Sequence, residues 1–246
     1  MGTARPGGED LRVLSYNIRS LRDDFPTLTH IIRTSTPDLL FLQEAPRFFR
    51  WRHHAARLAA ATGLLVLGGG APAAGPLLLC SPRVGVERTE DILLPLTPGL
   101  HRRGFATAVV RIGGARVGLL SCHLSLRRDE RHTQAGLLLD HLAAMDVPHT
   151  IAAGDLNEPP TGPAFRRISA ELQDCWAVAP RGGEHTYPST APTRRIDAVF
   201  AGRGLRVLGC GVPDDLPGIT PADFGAATDH LPVLATLSLP VPPVLP

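Results

Sequence analysis

A chain of 246 residues is long enough to bury the core of one large α/β domain, and its 43% hydrophobic and 20% charged residues argue against a disordered chain or a membrane protein. All 25 basic residues are Arg, whose planar fork suits phosphate. The net charge of +2 is nevertheless too small for a general nucleic-acid footprint.

Short apolar runs of strand type recur at 11–17, 38–43, 64–67, 76–81, 92–94, 105–112, 116–122, 149–154, 195–200, 205–210 and 231–239. Helical spacing falls between some of them, over 25–34, 48–62, 129–145 and 162–172. Other strands follow directly across glycine turns, as at Gly113-Gly114 and Gly202-Arg203-Gly204, and this mixture predicts mixed sheets. The expected domain is single and spans 10–239, with frayed tails at 1–9 and in the proline-rich 240–246.

The opening residues carry no apolar segment of the secretory kind, and the longest apolar stretch, 63–80, is interrupted by GGGAPAAGP. No membrane insertion is therefore expected. Four scattered cysteines without CxxC spacing read as buried thiols of a cytoplasmic protein, Cys80, Cys122, Cys175 and Cys210.

The chemistry-bearing residues sit where apolar strands end. Asn17-Ile18-Arg19 closes the first, Glu44 the second, His123 the run RVGLLSC, and Asp155-Leu156-Asn157 the run TIAAG, while Thr228-Asp229-His230 precedes the last strand. Each has a bland alternative: Asn17, Asp155 and Asn157 as turn or cap residues, His123 and His230 as structural histidines. Asp197 is harder to dismiss, because a lone carboxylate between Ile196 and Ala198 requires a cationic partner.

Taken in order, SYNIR, PDLLFLQE, SCHLS, AAGDLNEPP, RRIDAVF and TDHLPVLATL resemble the endonuclease/exonuclease/phosphatase superfamily across almost the whole chain. The resemblance implies an α/β four-layer sandwich of two packed mixed β-sheets flanked by helices, the deoxyribonuclease I-like fold. It implies a metal-dependent phosphoesterase using Mg²⁺ or Mn²⁺, held by Glu44 with Asn17 and Asp229. Catalysis is assigned to Asp155 as base on the attacking water, to Asn157 and His230 on water and phosphate, to His123 as acid or phosphate ligand, and to Asp197 acting through His230.

Arg19 and Arg103 are the expected phosphate-binding arginines, with Arg102 competing for the second place and Arg19 alternatively pairing with Glu44. Arg19 stands where abasic-site endonucleases place an Asp near the metal, which moves the chain away from that branch. The clusters Arg47, Arg50, Arg52 and Arg127, Arg128, Arg131 either line a phosphate groove or cover solvated helix faces. The implied partner is a phosphoester, either nucleic acid or a small phosphodiester, acted on by a monomer. Phosphodiester hydrolysis leads. The alternatives are a phosphatase or phosphodiesterase on a small molecule or lipid head group, and an inactive member that binds a phosphorylated ligand or protein partner.

Overall fold

The computed structural model describes residues 9–240, so all but Glu9 and Pro240 of the expected tails, 1–9 and 240–246, lie outside the described residues. In chain order the elements are β1 (Glu9–Asn17), α1 (Phe25–Thr34), β2 (Leu39–Gln43), α2 (Trp51–Thr62), β3 (Leu65–Gly69), β4 (Leu77–Cys80), β5 (Gly85–Leu93), β6 (Gly104–Ile112) and β7 (Ala115–His123). They continue with α3 (Arg128–Ala144), β8 (His149–Asp155), α4 (Pro163–Glu171), β9 (Gln173–Asp174), α5 (Cys175–Val178), β10 (Asp197–Ala201), β11 (Arg206–Gly211), α6 (Pro221–Ala227) and β12 (Val233–Leu239).

Two six-stranded sheets result, in the orders β11-β12-β1-β2-β4-β3 and β5-β6-β7-β8-β10-β9. Only β1 with β2 and β7 with β8 run parallel in these sheets, so both are mixed, as the sequence predicts. The glycine pair after β6 closes a hairpin with φ of 56° and 82° at Gly113 and Gly114, a conformation that costs other residues strain.

Side-chain alternation sorts the core into three layers. Inward-facing Leu11, Val13, Leu39 and Phe41 of one sheet meet Val117, Leu119, Ile151 and Val199 of the other. The outer face of the first sheet packs Leu14, Tyr16, Leu40 and Leu42 on α1 and α2 through Ile31, Ile32 and Leu58. The outer face of the second packs Phe105, Leu120 and Phe200 on α3 and α4 through Leu138, Leu142, Phe165 and Ile168. The layering is helix, sheet, sheet, helix. All four cysteines are buried free thiols, and no helix among the described residues is long and apolar enough to cross a membrane.

Where structure and expectation differ, the causes are local. β5 extends from Gly85 although only its end was apolar enough to read. It is an edge strand whose residues are almost all exposed, so nothing selects apolar side chains there. α2 begins at Trp51 because Arg50 takes a left-handed φ of 57°. The short α6 escaped the apolar pattern, but its capping box, Thr220 with Asp223, was a readable start signal. Glu9, assigned to the tail, pairs with Leu239 at the end of β1.

Candidate active site

The strand register assembles the site. His123 at the end of β7 lies beside Asp155 at the end of β8, and Asp155 lies beside Asp197 at the start of β10. In the other sheet Asn17 ends β1 beside Gln43, and Glu44 follows. Parallel strands contribute their C-terminal ends and antiparallel strands their N-terminal ends, so all reach one edge of the sandwich.

The inward-facing row of each strand changes chemistry there. Leu11-Val13 gives way to Ser15-Asn17, Leu39-Phe41 to Gln43, Val117-Leu119 to Ser121-His123, and Ile151-Ala153 to Asp155. The intermediate polar groups are partly paired, Gln43 Nε2 donating to Ser15 Oγ at 3.3 Å and Ser121 Oγ to the Leu42 carbonyl at 3.2 Å, while the buried Gln43 Oε1 has no partner among the described residues. Gly154 permits the tight approach: a Cβ there would collide with the Cys122 carbonyl of the neighbouring strand.

Asp155 is the hub and is 1% exposed. Its Oδ1 accepts the Asn157 backbone N–H at 2.8 Å, and its Oδ2 accepts Asn17 Nδ2 at 3.1 Å. His123 Nε2 and His230 Nε2 stand 3.4 Å and 3.8 Å from the same Oδ2. Burial, then the charge of Asp197, push this carboxyl above its usual range, against the pull of His230 and the two hydrogen bonds.

Asp197 receives the cation it requires: its Oδ2 lies 2.9 Å from His230 Nδ1. Burial alone would lower the His230 pKa, but Asp197, Asp155 and Asp229 outweigh it and raise the value to about 9. The ring packs against Tyr187, whose centroid lies 4.8 Å away, and the backbone just before it is held by Ser189 N–H on the Asp229 carbonyl at 2.9 Å. His123 is opposite in character. Burial and the cations Arg103, His230, Arg47 and His101 hold its pKa well below the usual value, which makes it a neutral N–H donor rather than a cationic acid.

A cleft of about 790 Å³ opens over these groups, lined by Glu44, His123, Asp155, Asn157, Asp229 and His230. Of the arginine pair, Arg103 lines it and Arg102 does not; Arg47 and Arg131 from the two clusters line it as well, with Arg194. Arg19 departs from expectation. Left-handed φ values at Arg19, Ser20 and Leu21 turn the chain outward, and its guanidinium lies 3.5 Å from both Asp23 and Asp229 instead of pairing with Glu44. It is absent from the cleft lining.

Two groups of residues differ in their fitness to hold a cation. Asp155, Asp197 and His230 bring ligand atoms within 4.8 Å of one another, but His230 is a protonated partner of Asp197, and a protonated imidazole is a poor ligand. Glu44 Oε1 and Asp155 Oδ2 both lie within hydrogen-bond reach of the single Asn17 amide nitrogen, at 3.2 Å and 3.1 Å. Glu44 and Asp229 line the same cleft and offer hard carboxylate oxygens of the kind a divalent cation takes. Asn17 Oδ1 meanwhile accepts the Arg19 N–H at 3.1 Å, so its oxygen does not face Glu44.

The His230–Asp197 pair predicts a pH signature in the metal-free protein. With a folded pKa near 9 above the ordinary 6.5, its stabilisation is complete below pH 6.5 and is lost as pH rises through about 9. The Tm difference between wild type and His230→Gln, measured in EDTA, should therefore narrow across that window. A constant difference from pH 6.5 to 10 would show that the pair is not charged.

The sequence did not reveal Thr186, Tyr187 and Ser189, which surround His230 from a loop far from it in the chain. Thr186 Oγ1 accepts both the Ile196 and Asp197 N–H groups at 3.2 Å. Tyr187, an isolated aromatic in a polar stretch, was the available signal.

A family model described as the endonuclease/exonuclease/phosphatase family matches residues 14–230. No curated protein matches the chain. Among solved structures, an endonuclease/exonuclease/phosphatase from Bacteroides vulgatus superposes with a TM-score of 0.77 at 18% identity, covering 94% of this chain and 99% of that one. A mannosyl-6-phosphatase of Bacteroides thetaiotaomicron gives 0.76 at 17% identity, covering 93% and 100%. A truncated TDP2 of Caenorhabditis elegans gives 0.68 at 20% identity, covering 93% and 98%.

Proposed function

The chain belongs to the endonuclease/exonuclease/phosphatase family, and from that premise we propose that it is a divalent-metal-dependent phosphoesterase, in first place a phosphodiesterase or nuclease that hydrolyses a P–O bond by in-line attack of water. The observation that supports this best is the convergence of Asp155, His123 and Asp197, from one sheet edge, on Asn17, Glu44 and His230 of the other.

Asp155 takes the proton of the attacking water. Its raised pKa makes it a stronger base than an ordinary Asp, and Asn157 N–H and Asn17 fix both of its oxygens. The water oxygen forms the new bond to phosphorus, and the leaving oxygen departs with the electron pair of the broken P–O bond. Cationic His230, oriented through Nδ1 by Asp197, presents Nε2 to a non-bridging phosphate oxygen. Asn157 commits one amide hydrogen to the Leu124 carbonyl at 2.9 Å, which leaves its other hydrogen and its oxygen for phosphate and water. Arg103 adds charge at the wall, and neutral His123 contributes an N–H donor. Glu44, with Asp229, would hold the metal ion, which when bound would neutralise charge developing on the phosphate and the leaving oxygen, while Asn17, whose amide nitrogen faces Glu44, orients that carboxylate.

A second reading, hydrolysis of a small phosphoester, draws support from the cleft itself: about 790 Å³ is a small-molecule volume, and the net charge is only +2. Plasmid nicking assayed beside a panel of small phosphoesters, in Mg²⁺ and in EDTA, separates the two. A nuclease contacting several phosphates should weaken steeply with salt, whereas small-phosphoester turnover should change little. Activity that persists in EDTA on every substrate would refute both readings.

A further inference from the structure

The mouth of the cleft carries apolar surface that phosphate chemistry does not require. Phe48 is 78% exposed, Phe49 86% and Leu126 70%, and all three line the same cleft as Asp155 and His230. One exposed apolar residue is ordinary; three at one mouth mark a binding surface. The lip is built to hold its place. It follows Glu44 directly, and its base is pinned by Ala45 N–H on the Gly75 carbonyl at 3.0 Å and by Arg47 on the Ala74 carbonyl at 3.3 Å. The phenyl groups point free of that base, and the Arg47 guanidinium sits 5.3 Å over the Phe48 ring.

We propose that Phe48 and Phe49 form a stacking platform for a planar aromatic ring carried by the substrate next to its phosphate. The occupant is fixed by what lies beside the platform. Arg47 and Arg103 on the same cleft offer charge to an anion, and Phe49 with the guanidinium stacked on Phe48 offers flat faces, to which a planar ring is complementary and a flexible alkyl chain is not. Aryl phosphoesters and nucleobase-bearing phosphoesters share this chemistry. The inference rests on the phosphoesterase reading and adds a specificity element to it.

Titration calorimetry with phenyl phosphate and with methyl phosphate, with and without Mg²⁺, tests the platform on wild type, F48A/F49A and F48L/F49L. Wild type is expected to bind phenyl phosphate at least about tenfold tighter than methyl phosphate. Both double variants should bring the two within about twofold, with methyl phosphate affinity unchanged. Replacing thymidine 5′-monophosphate for phenyl phosphate distinguishes a nucleobase from a simple aryl group, and a preference for either ring supports the platform.

Equal affinities in wild type, or a preference that survives in either double variant, would overturn it. So would Phe-dependent cosedimentation with phosphatidylcholine vesicles in place of ring selectivity, since that outcome makes the lip a membrane contact. If wild type turns over no phosphoester in Mg²⁺ but keeps its ring preference, the phosphoesterase reading fails and the platform stands. Turnover without ring preference gives the converse.

Discussion

Asp155→Asn is expected to lower kcat about 10³-fold on any phosphoester that the wild type hydrolyses, with KM changed far less. The amide keeps an acceptor for Asn157 N–H but cannot take a proton, and its NH₂ group would face Asn17 Nδ2 and the two histidine Nε2 atoms that now surround Oδ2. Loss of the base therefore comes with a local mismatch of donors. Because the carboxylate is already crowded by Asp197 and buried, removing its charge should leave the fold intact, which circular dichroism would check. A variant that retains even a tenth of wild-type kcat would show that another group takes the proton.

Arg195→Ala should be the most destabilising single change near the site, costing about 3–5 kcal/mol and lowering Tm by about 10 °C. Its guanidinium makes two bonds to the Asp174 carboxylate, at 2.9 Å and 2.8 Å, and the two side chains are 8% and 9% exposed. Truncation strands a buried carboxylate with no cation. The residue also leads into Ile196 and Asp197, so the variant should lose activity through the placement of His230 as well as through unfolding. A paired replacement, Arg195→Met with Asp174→Leu, leaves no buried charge behind, because the other partner of Arg195, Glu184, is half exposed, and it should recover most of the stability, as heat or urea melts would show. Equal losses in the single and paired variants would mean that packing, not the unpaired charge, sets the cost.

Much of the fold was legible because the β-strands between the sheets obey a strict alternation that composition cannot hide. The two faces of β1 divide into Leu11-Val13 and Leu14-Tyr16, and each packs a different layer. β5 was illegible over most of its length because an exposed edge places no apolar demand on Glu87, Arg88 or Glu90. The site residues could be named because catalytic polar groups terminate apolar rows, where a polar side chain is conspicuous.

Their partners could not be read in the same way. Asp197 announced that it required a cation, yet nothing in the sequence places Tyr187 against His230, since that contact depends on how the loop at 186–189 returns. The placement of Arg19 was illegible for a related reason. Its type suits phosphate, but three successive left-handed residues carry it to Asp23 and Asp229, and backbone handedness at non-glycine residues leaves no trace in the residue pattern. Likewise the protonation states of His123 and His230 come from burial and neighbouring charge, not from residue type.

The most direct measurement is the hydrolysis of bis(4-nitrophenyl) phosphate by wild type and Asp155→Asn, in Mg²⁺, after EDTA, and after Mg²⁺ is returned. Wild type should turn over the diester in Mg²⁺, stop in EDTA and recover on addition of the metal, while the variant stays about 10³-fold slower throughout. Turnover by wild type that is indifferent to EDTA, or equal rates for the two proteins, would contradict a metal-dependent site built on Asp155.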